Sequence, residues 1–463
     1  MDATRREFMQ KSGAALLGAS AIGALAQPTG AQEADYDLES ASERSDRPKR
    51  PTMVVVYLRG GADPLNVIVP HGDPVYYNVR PTIAIPRQAQ GDVPGVIKFN
   101  KLFGLNPSMA PLFPLFEQGV VVPIINVGST HGTRSHFDAQ DFMERAAPGV
   151  RTVTEGWLNR FMTATASKDD SDLRAIAVQP LLPRSLRGQY PVLAVPGYGS
   201  DMALSAFEEL YGCEEAKAAQ QREIALARLG DEGKRPKKPA YGDPMTEEKT
   251  RQTILATGTR AIQRIRKYRK ITGGGQFGGA SPLGGNYPGS GFAAQMRDIA
   301  TVIKAGVGLE VVAIDYGGWD HHYQQGGVYG TMSSMLADVS GSLRAFVDDL
   351  GQQRMNSTLV LLMSEFGRTV RENGTNGSDH GHGGFMLAIG GMLNGRKVYG
   401  KWSGLEAANL YQGRDMPVHT DFRMVFDEVL AKLYGFDSAK HDFFPEYRAA
   451  GKHLGLLKKV AVA

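Results

Sequence analysis

Apolar residues along this chain gather in continuous β-branched runs more than in alternating positions. The segments 53–58 (MVVVYL) and 120–127 (VVVPIINV) are the sharpest. A strand with protein on both faces needs apolar side chains at every position, so such runs predict buried strands of a parallel sheet. Segments 309–315, 357–363 and 385–389 predict three more. Helical patterns fall between and after them, at 107–118, 137–145, 293–305, 331–350 and 421–434. Residues 203–270 read as mostly helical with a basic, Pro-broken interruption at 233–239, and 272–291 as a Gly-rich surface loop. Strands alternating with helices predict an α/β domain of three layers, α/β/α, around a mostly parallel central sheet.

The first residues follow a different pattern. Thr4-Arg5-Arg6-Glu7-Phe8-Met9-Gln10-Lys11 precedes an uncharged, small-residue run from Ser12 to Ala26 that ends Ala24-Leu25-Ala26. A charged start, an apolar stretch and a small-residue cleavage site, with Phe8 and Lys11 in register behind the arginine pair, predict a twin-arginine signal peptide over 1–26. The apolar stretch is too short and too rich in Gly and Ala to be a stable membrane span. Residues 27–50 have few groups whose burial could offset the entropy of ordering, and read as a disordered linker. Residues 51–463 are then one domain, expected in the periplasm or outside the cell after export through the twin-arginine machinery. No later stretch is apolar enough for a stable membrane span. Cys213 is the only cysteine, so no intramolecular disulfide can form. The net charge of +4 is too mild to argue for nucleic acid.

Ligands of such sheets bind beyond the carboxyl ends of the strands, and four loops there hold nearly all the reactive side chains. The first carries Asp63 and Asn66. The second runs through His131, Thr133, Arg134, Ser135 and His136 to Asp138, and the third is Gly317-Gly318-Trp319-Asp320-His321-His322. The fourth begins Ser364-Glu365-Phe366-Gly367-Arg368-Thr369 and ends Ser378-Asp379-His380-Gly381-His382-Gly383-Gly384. Six of the ten histidines lie in these loops, each near a carboxylate. A single such histidine is best read as hydrogen-bonded to backbone; coincident clusters favour a metal or catalytic site. Imidazole with carboxylate suits zinc, manganese or iron, whereas calcium takes oxygen alone. Asp320/His322 and Asp379/His380/His382 are the sharpest groups. Ser135 and Thr133 stand where a helix begins, so either is an N-cap or a nucleophile beside His131 or His136, which could draw off the hydroxyl proton. Arg134 and Arg368 could hold a phosphate or sulfate by paired hydrogen bonds; Arg59 could do the same, or pair with Asp63.

The strings VVVYLRGGADPLNVIVPHGDPVYYNVRPTIAIP, THGTRSHFDAQDFME, GWLNRF, MSEFGRTVRENGTNGSDHGHGG, VYGKW and TDFR resemble those of the secreted twin-arginine family catalogued as domain of unknown function 1501. The similarity runs from about Met53 to Tyr434. It implies an alkaline phosphatase/sulfatase-like fold, shared by metal-dependent phospho- and sulfohydrolases. By position it implies Asp63 as the first carboxylate, Ser135 (or Thr133) as nucleophile, and Asp320 with His322 as one metal pair. Glu365 stands where the next strand-end carboxylate belongs, and His380 or His382 resembles the final ligand. Two strings depart from the family's usual Asn-Asp-Gly and Asp-Thr-His, reading Ala62-Asp63-Pro64 and Asp320-His321-His322. The superfamily's frequent Asp-His-Gly at the last strand end is here Glu365-Phe366-Gly367, with Asp-His-Gly later at 379–381. Neither CxPxR nor SxPxR occurs, which excludes a formylglycine sulfatase. The expected function is an exported hydrolase of a phosphate or sulfate ester using one or two divalent transition-metal ions. The competing expectations are a non-catalytic envelope binding or assembly protein on the same fold, and a metal-dependent oxidoreductase or lyase.

Overall fold

The first apolar run forms β1 (Thr52–Leu58), buried at every position. Its side chains divide between two cores: Val54, Val56 and Leu58 enter one, Met53, Val55 and Tyr57 the other. That two-sided burial is why the run shows no alternation. The computed structural model describes residues 50–195, 244–273, 285–447 and 453–458. The expected signal peptide, the linker up to residue 49, Cys213, the basic interruption at 233–239 and residues 274–284 of the Gly-rich loop lie outside the described residues.

In chain order the remaining strands are β2 (Ile68–Val69), β3 (Ile97–Lys98), β4 (Gly104–Leu105), β5 (Val121–Gly128), β6 (Ala175–Ala177), β7 (Leu193–Ala194), β8 (Val311–Tyr316), β9 (Thr358–Met363), β10 (Gly384–Ile389) and β11 (Thr420–Asp421). Eight build one sheet in the order β11-β5-β10-β9-β1-β8-β6-β7; β2, β4 and β3 make a small antiparallel one. In the large sheet β1 lies between β8 and β9, both parallel to it, with Val56 opposite Ile314 and Leu362. Only β10 runs against its neighbours, β5 and β9. The sheet is therefore mostly parallel, as the pattern predicts.

Helices cover both faces. Phe292, Met296 and Ile299 of the Gly291–Lys304 helix join Leu336, Leu343 and Phe346 of the Thr331–Met355 helix in the first core. Met143 (His136–Arg145), Trp157 and Phe161 (Trp157–Ala164), and Phe422, Phe426 and Leu430 (Phe422–Tyr434) fill the second. Each fully buried side chain of this size contributes roughly 1.5–3 kcal/mol, so both layers are held by the sheet they shield.

β10 settles where chemistry can collect. Because it is reversed, the segment 364–383 leaves the carboxyl end of β9 and returns to the same edge of the sheet. The ends of β1, β5, β8 and β9 and the start of β10 all open onto that edge. The short strands β6, β7 and β11 and the Trp157–Ala164 helix are absent from the sequence expectation. The three strands, of two or three residues each, are too short for an apolar run to register.

Candidate metal centre

One arginine organises the sheet edge. Arg368 is fully buried, and its guanidinium donates to the carbonyls of Gly60, Gly61 (2.5 Å), Trp319 (3.2 Å) and Ser378 (3.0 Å) and to Asp320 Oδ1 (2.6 Å). It thus ties together the loops after β1, β8 and β9. The close approach needs Gly60, at φ 121°, where a Cβ would stand 2.6 Å from the Asp320 amide nitrogen. Arg368 is therefore corrected from an anion ligand to a clamp, because its donors are spent on backbone and on Asp320.

Three imidazoles converge on that aspartate. His322 Nε2 is 3.0 Å and His380 Nε2 3.2 Å from Asp320 Oδ1, while His136 Nε2 is 3.3 Å from Oδ2. His322 Nε2 and His380 Nε2 are 2.8 Å apart. His136, Asp320 and His380 offer ligand atoms all within 4.8 Å of one another.

The other nitrogen of each ring decides what this cluster can be. His136 Nδ1 is 2.7 Å from Glu365 Oε1, His322 Nδ1 is 2.8 Å from Asp379 Oδ1, and His380 Nδ1 is 2.8 Å from the Arg134 carbonyl. Each of these partners can only accept, so each Nδ1 carries the hydrogen and donates it. In the neutral rings the three Nε2 atoms are then bare lone pairs aimed at one another and at a carboxylate. His136 Nε2 is buried and finds no hydrogen-bond partner. Facing lone pairs repel unless a cation or a proton lies between them. Imidazole nitrogens and a carboxylate, each ring steadied through its far nitrogen, are donors of the kind a transition metal takes, and those of His136, Asp320 and His380 lie close enough together to share one ion.

Burial opposes charge on Asp320, but the hydrogen bond and charge of Arg368, with His322 and His136, hold its carboxyl down at about 2. Burial also disfavours the Glu365 carboxylate, yet hydrogen bonds from His136 and Gln140 keep it below its usual range. The bond to Glu365 raises His136 above an ordinary histidine, against burial. Burial, then the neighbouring His136, lowers His380.

The remaining expected residues divide sharply. Glu365 has no exposed surface; its Oε1 accepts from His136, Gln140 (2.9 Å) and the Gly60 amide (2.9 Å), so it orients a ligand instead of serving as one. Asp379 does the same for His322. Asp63 is removed from the ligand set: both its oxygens accept from Arg80 (2.5 and 3.1 Å), with Gln325 Nε2 (2.7 Å) and the Leu65 amide (3.2 Å) added. His382 is also removed, since its ring stacks on Tyr411 at 4.3 Å and burial lowers its basicity. Of the two histidines expected for the final position, the cluster contains His380. Arg134 is not a free anion clamp either: Nε and Nη2 donate to buried Asp415 (2.8 and 2.5 Å), and Nη2 also to Gln412. Arg59 pairs with Glu144 and Asp315, not Asp63. Ser135 is the N-cap of the His136–Arg145 helix, its hydroxyl accepting from the Asp138 amide at a long 3.5 Å. It is exposed, and sits between Arg134 and His136, both of which touch the cluster. Thr133 Oγ1 accepts from the Ser135 amide.

Gln140, Arg80, Gln325 and Asp415 carry parts of this architecture that the sequence reading did not assign. Apart from Asp63, 17 residues before Arg80, their partners lie far along the chain, and only Asp63-Pro64, a cap residue before a first-turn proline, carried a local sign of a structural role. The profile of the family described as "Protein of unknown function (DUF1501)" matches residues 50–442. No curated protein matches the chain.

Proposed function

Since the chain belongs to the DUF1501 family, whose description assigns no activity, we propose from its site that it is a metal-dependent hydrolase of a phosphate or sulfate ester. In this reading the sheet and its two helical layers are an alkaline phosphatase/sulfatase-like domain. The carrying observation is the convergence of three Nε2 lone pairs and Asp320, with every Nδ1 committed to an acceptor. His136, Asp320, His322 and His380 would hold a divalent zinc, manganese or iron ion. When bound, such an ion supplies Lewis acidity toward an ester oxygen and eases ionisation of a nearby hydroxyl or water.

The chain's own residues supply the rest. Glu365, Asp379 and the Arg134 carbonyl hold the three rings in their donating orientation. Arg368 holds Asp320 charged and in place. Ser135 presents an exposed hydroxyl at a helix N-terminus, where an anion on the attacked group is favoured, and its weak cap bond leaves it free to turn. The same donor set also accepts redox-active iron or manganese, which supports a metal-dependent oxidoreductase or lyase as a second reading.

The test begins with elemental analysis of protein purified from its native compartment, followed by p-nitrophenyl phosphate and p-nitrophenyl sulfate as substrates. Stoichiometric metal and hydrolysis of one ester are expected, both abolished by His380→Ala. Ser135→Ala should keep the metal and lose turnover by several orders of magnitude; near-normal turnover would hand the role to Thr133 or a water. Metal without ester hydrolysis, but with dioxygen consumption, selects the second reading. Protein with no stoichiometric metal sinks both. The arginine pair at Arg5-Arg6 supports export by the twin-arginine route. Lysine at both positions should leave the protein in the cytoplasmic fraction.

A further inference from the structure

The line of contacts behind His136 does not end at Glu365. Gln140 stands one turn further along the His136–Arg145 helix, on the same face. Both side chains reach one oxygen, Glu365 Oε1, His136 Nδ1 at 2.7 Å and Gln140 Nε2 at 2.9 Å. The far end of the Gln140 amide accepts from Arg59 Nη1 at 3.2 Å. Arg59 is itself held by two carboxylates. Its Nη1 and Nη2 donate to the two oxygens of Glu144 (2.7 and 3.0 Å), Nη2 also donates to Asp315 Oδ1 (2.9 Å), and the guanidinium lies 4.1 Å from the centre of the Tyr57 ring.

An amide side chain fits a gap equally well either way round, so its partners decide which end faces which. Arg59 has only hydrogens to give, and the Glu365 carboxylate only lone pairs. The Gln140 oxygen therefore faces Arg59, its nitrogen faces Glu365, and it cannot turn over without setting donor against donor and acceptor against acceptor. One polarised line results, from Glu144 and Asp315 through Arg59 and Gln140 to Glu365, on which His136 also donates. The loop after β1 grips Glu365 Oε1 twice, directly through the Gly60 amide (2.9 Å) and through Gln140 from the adjacent Arg59. Glu365 has no exposed surface, so water does not replace a donor that it loses there.

We propose that Gln140 is a positioning residue for the cation position: braced by Arg59, its amide holds Glu365 in place, and through Glu365 it sets the rotation of the His136 ring and keeps the hydrogen on Nδ1. Its effect on a bound ion rests on reading the cluster as a metal site. Its effect on the ring stands without that reading.

Two substitutions separate hydrogen bonding from bulk. Gln140→Met keeps nearly the size of glutamine without its polar atoms, whereas Gln140→Ala leaves room for a water that brings a donor of its own. Full-length parent and variants are freed of metal with a chelator, and the ring nitrogen NMR shifts of isotope-labelled histidine are read at a pH where the His136 ring is neutral, with His136 assigned from His136→Asn. The parent ring should carry its hydrogen on Nδ1, and each variant should show a mixture of both tautomers. Zinc affinity, measured on the folded fraction in competition with a chelator, should fall about tenfold, with Gln140→Met at least as damaging as Gln140→Ala. A side chain that only fills space gives the reverse order, the methionine variant behaving as the parent. That order, or ring shifts unchanged in both variants, overturns the proposal; a changed ring with unchanged zinc affinity overturns the role at the cation position. If the parent binds no zinc, manganese or iron, the metal reading falls and the ring shifts still decide for or against Gln140. Either variant alone suffices for that decision should the other fail to fold.

Discussion

Asp63 and Asp320 stand just beyond the ends of neighbouring parallel strands, β1 and β8, and each contacts a fully buried arginine. Around Asp63 every other neighbour is a donor: two guanidinium nitrogens, an amide side chain and a backbone N–H, with 1 % of the residue exposed. Asp320 has one guanidinium contact and then three imidazole nitrogens without hydrogens, on a side chain 44 % exposed. A carboxylate surrounded by donors is finished. One that also faces imidazole nitrogens leaves room for a further positive charge, a proton or a cation, between them. A count of acids at strand ends therefore cannot separate the two; the hydrogens on their neighbours can.

The largest effect tests the finished half. Asp63→Ala strands the buried Arg80 charge and should cost about 3–5 kcal/mol, read as a lowered denaturant midpoint. The folded fraction should keep its full metal content; metal loss at native stability would move Asp63 back into the ligand set. The next tests the unfinished half through residues that touch no cation. Glu365→Gln weakens the acceptor for His136, and Asp415→Asn loosens Arg134, whose carbonyl holds His380. Each should lower metal affinity 10–100-fold in competition with a chelator, measured on the folded fraction, beyond whatever it costs the metal-free protein in stability. Unchanged affinity in both would leave the lone-pair argument without its support. The smallest effect is a titration. Asp320, held at about 2, is depressed below the unfolded value near 3.9. Its contribution is thus present above that unfolded value and lost as pH falls toward 2. Stabilities of metal-free parent and Asp320→Asn should differ above pH 4 and converge near pH 2; a gap that stays constant through this range contradicts the pairing with Arg368.

The sheet was legible because burial on both faces leaves its mark on every residue of a strand. The runs at 53–58, 120–127, 309–315, 357–363 and 385–389 correspond to β1, β5, β8, β9 and β10 within two residues at either end. The direction of β10 was not legible, since a solid apolar run reads the same either way. Four of the expected ligands, His322, Asp320, Asp379 and His380, meet as a group, with Asp379 behind His322 rather than at the centre. His136, expected as a proton acceptor, offers a ring nitrogen within 4.8 Å of the ligand atoms of Asp320 and His380. The misassigned residues share one cause. Whether Asp63, Arg134 or Arg368 is free depends on partners such as Asp415, 281 residues from Arg134, and no local pattern carries that information.

The separations along the chain also set an order of events in folding. Asp63 and Arg80 are 17 residues apart, so their pair closes a short loop. His380 reaches the Arg134 carbonyl across 246 residues, and His136 reaches Glu365 across 229. Contacts of such span form only after the intervening crossovers have been made, and loop entropy places them late. A nascent chain that has not yet reached residue 380 has the sheet's first strand and the helices up to Met355, but neither the Phe422–Tyr434 helix nor the gathered imidazoles. Capture of a cation would therefore mark the completed chain, and its binding energy would fall on the last contacts to form.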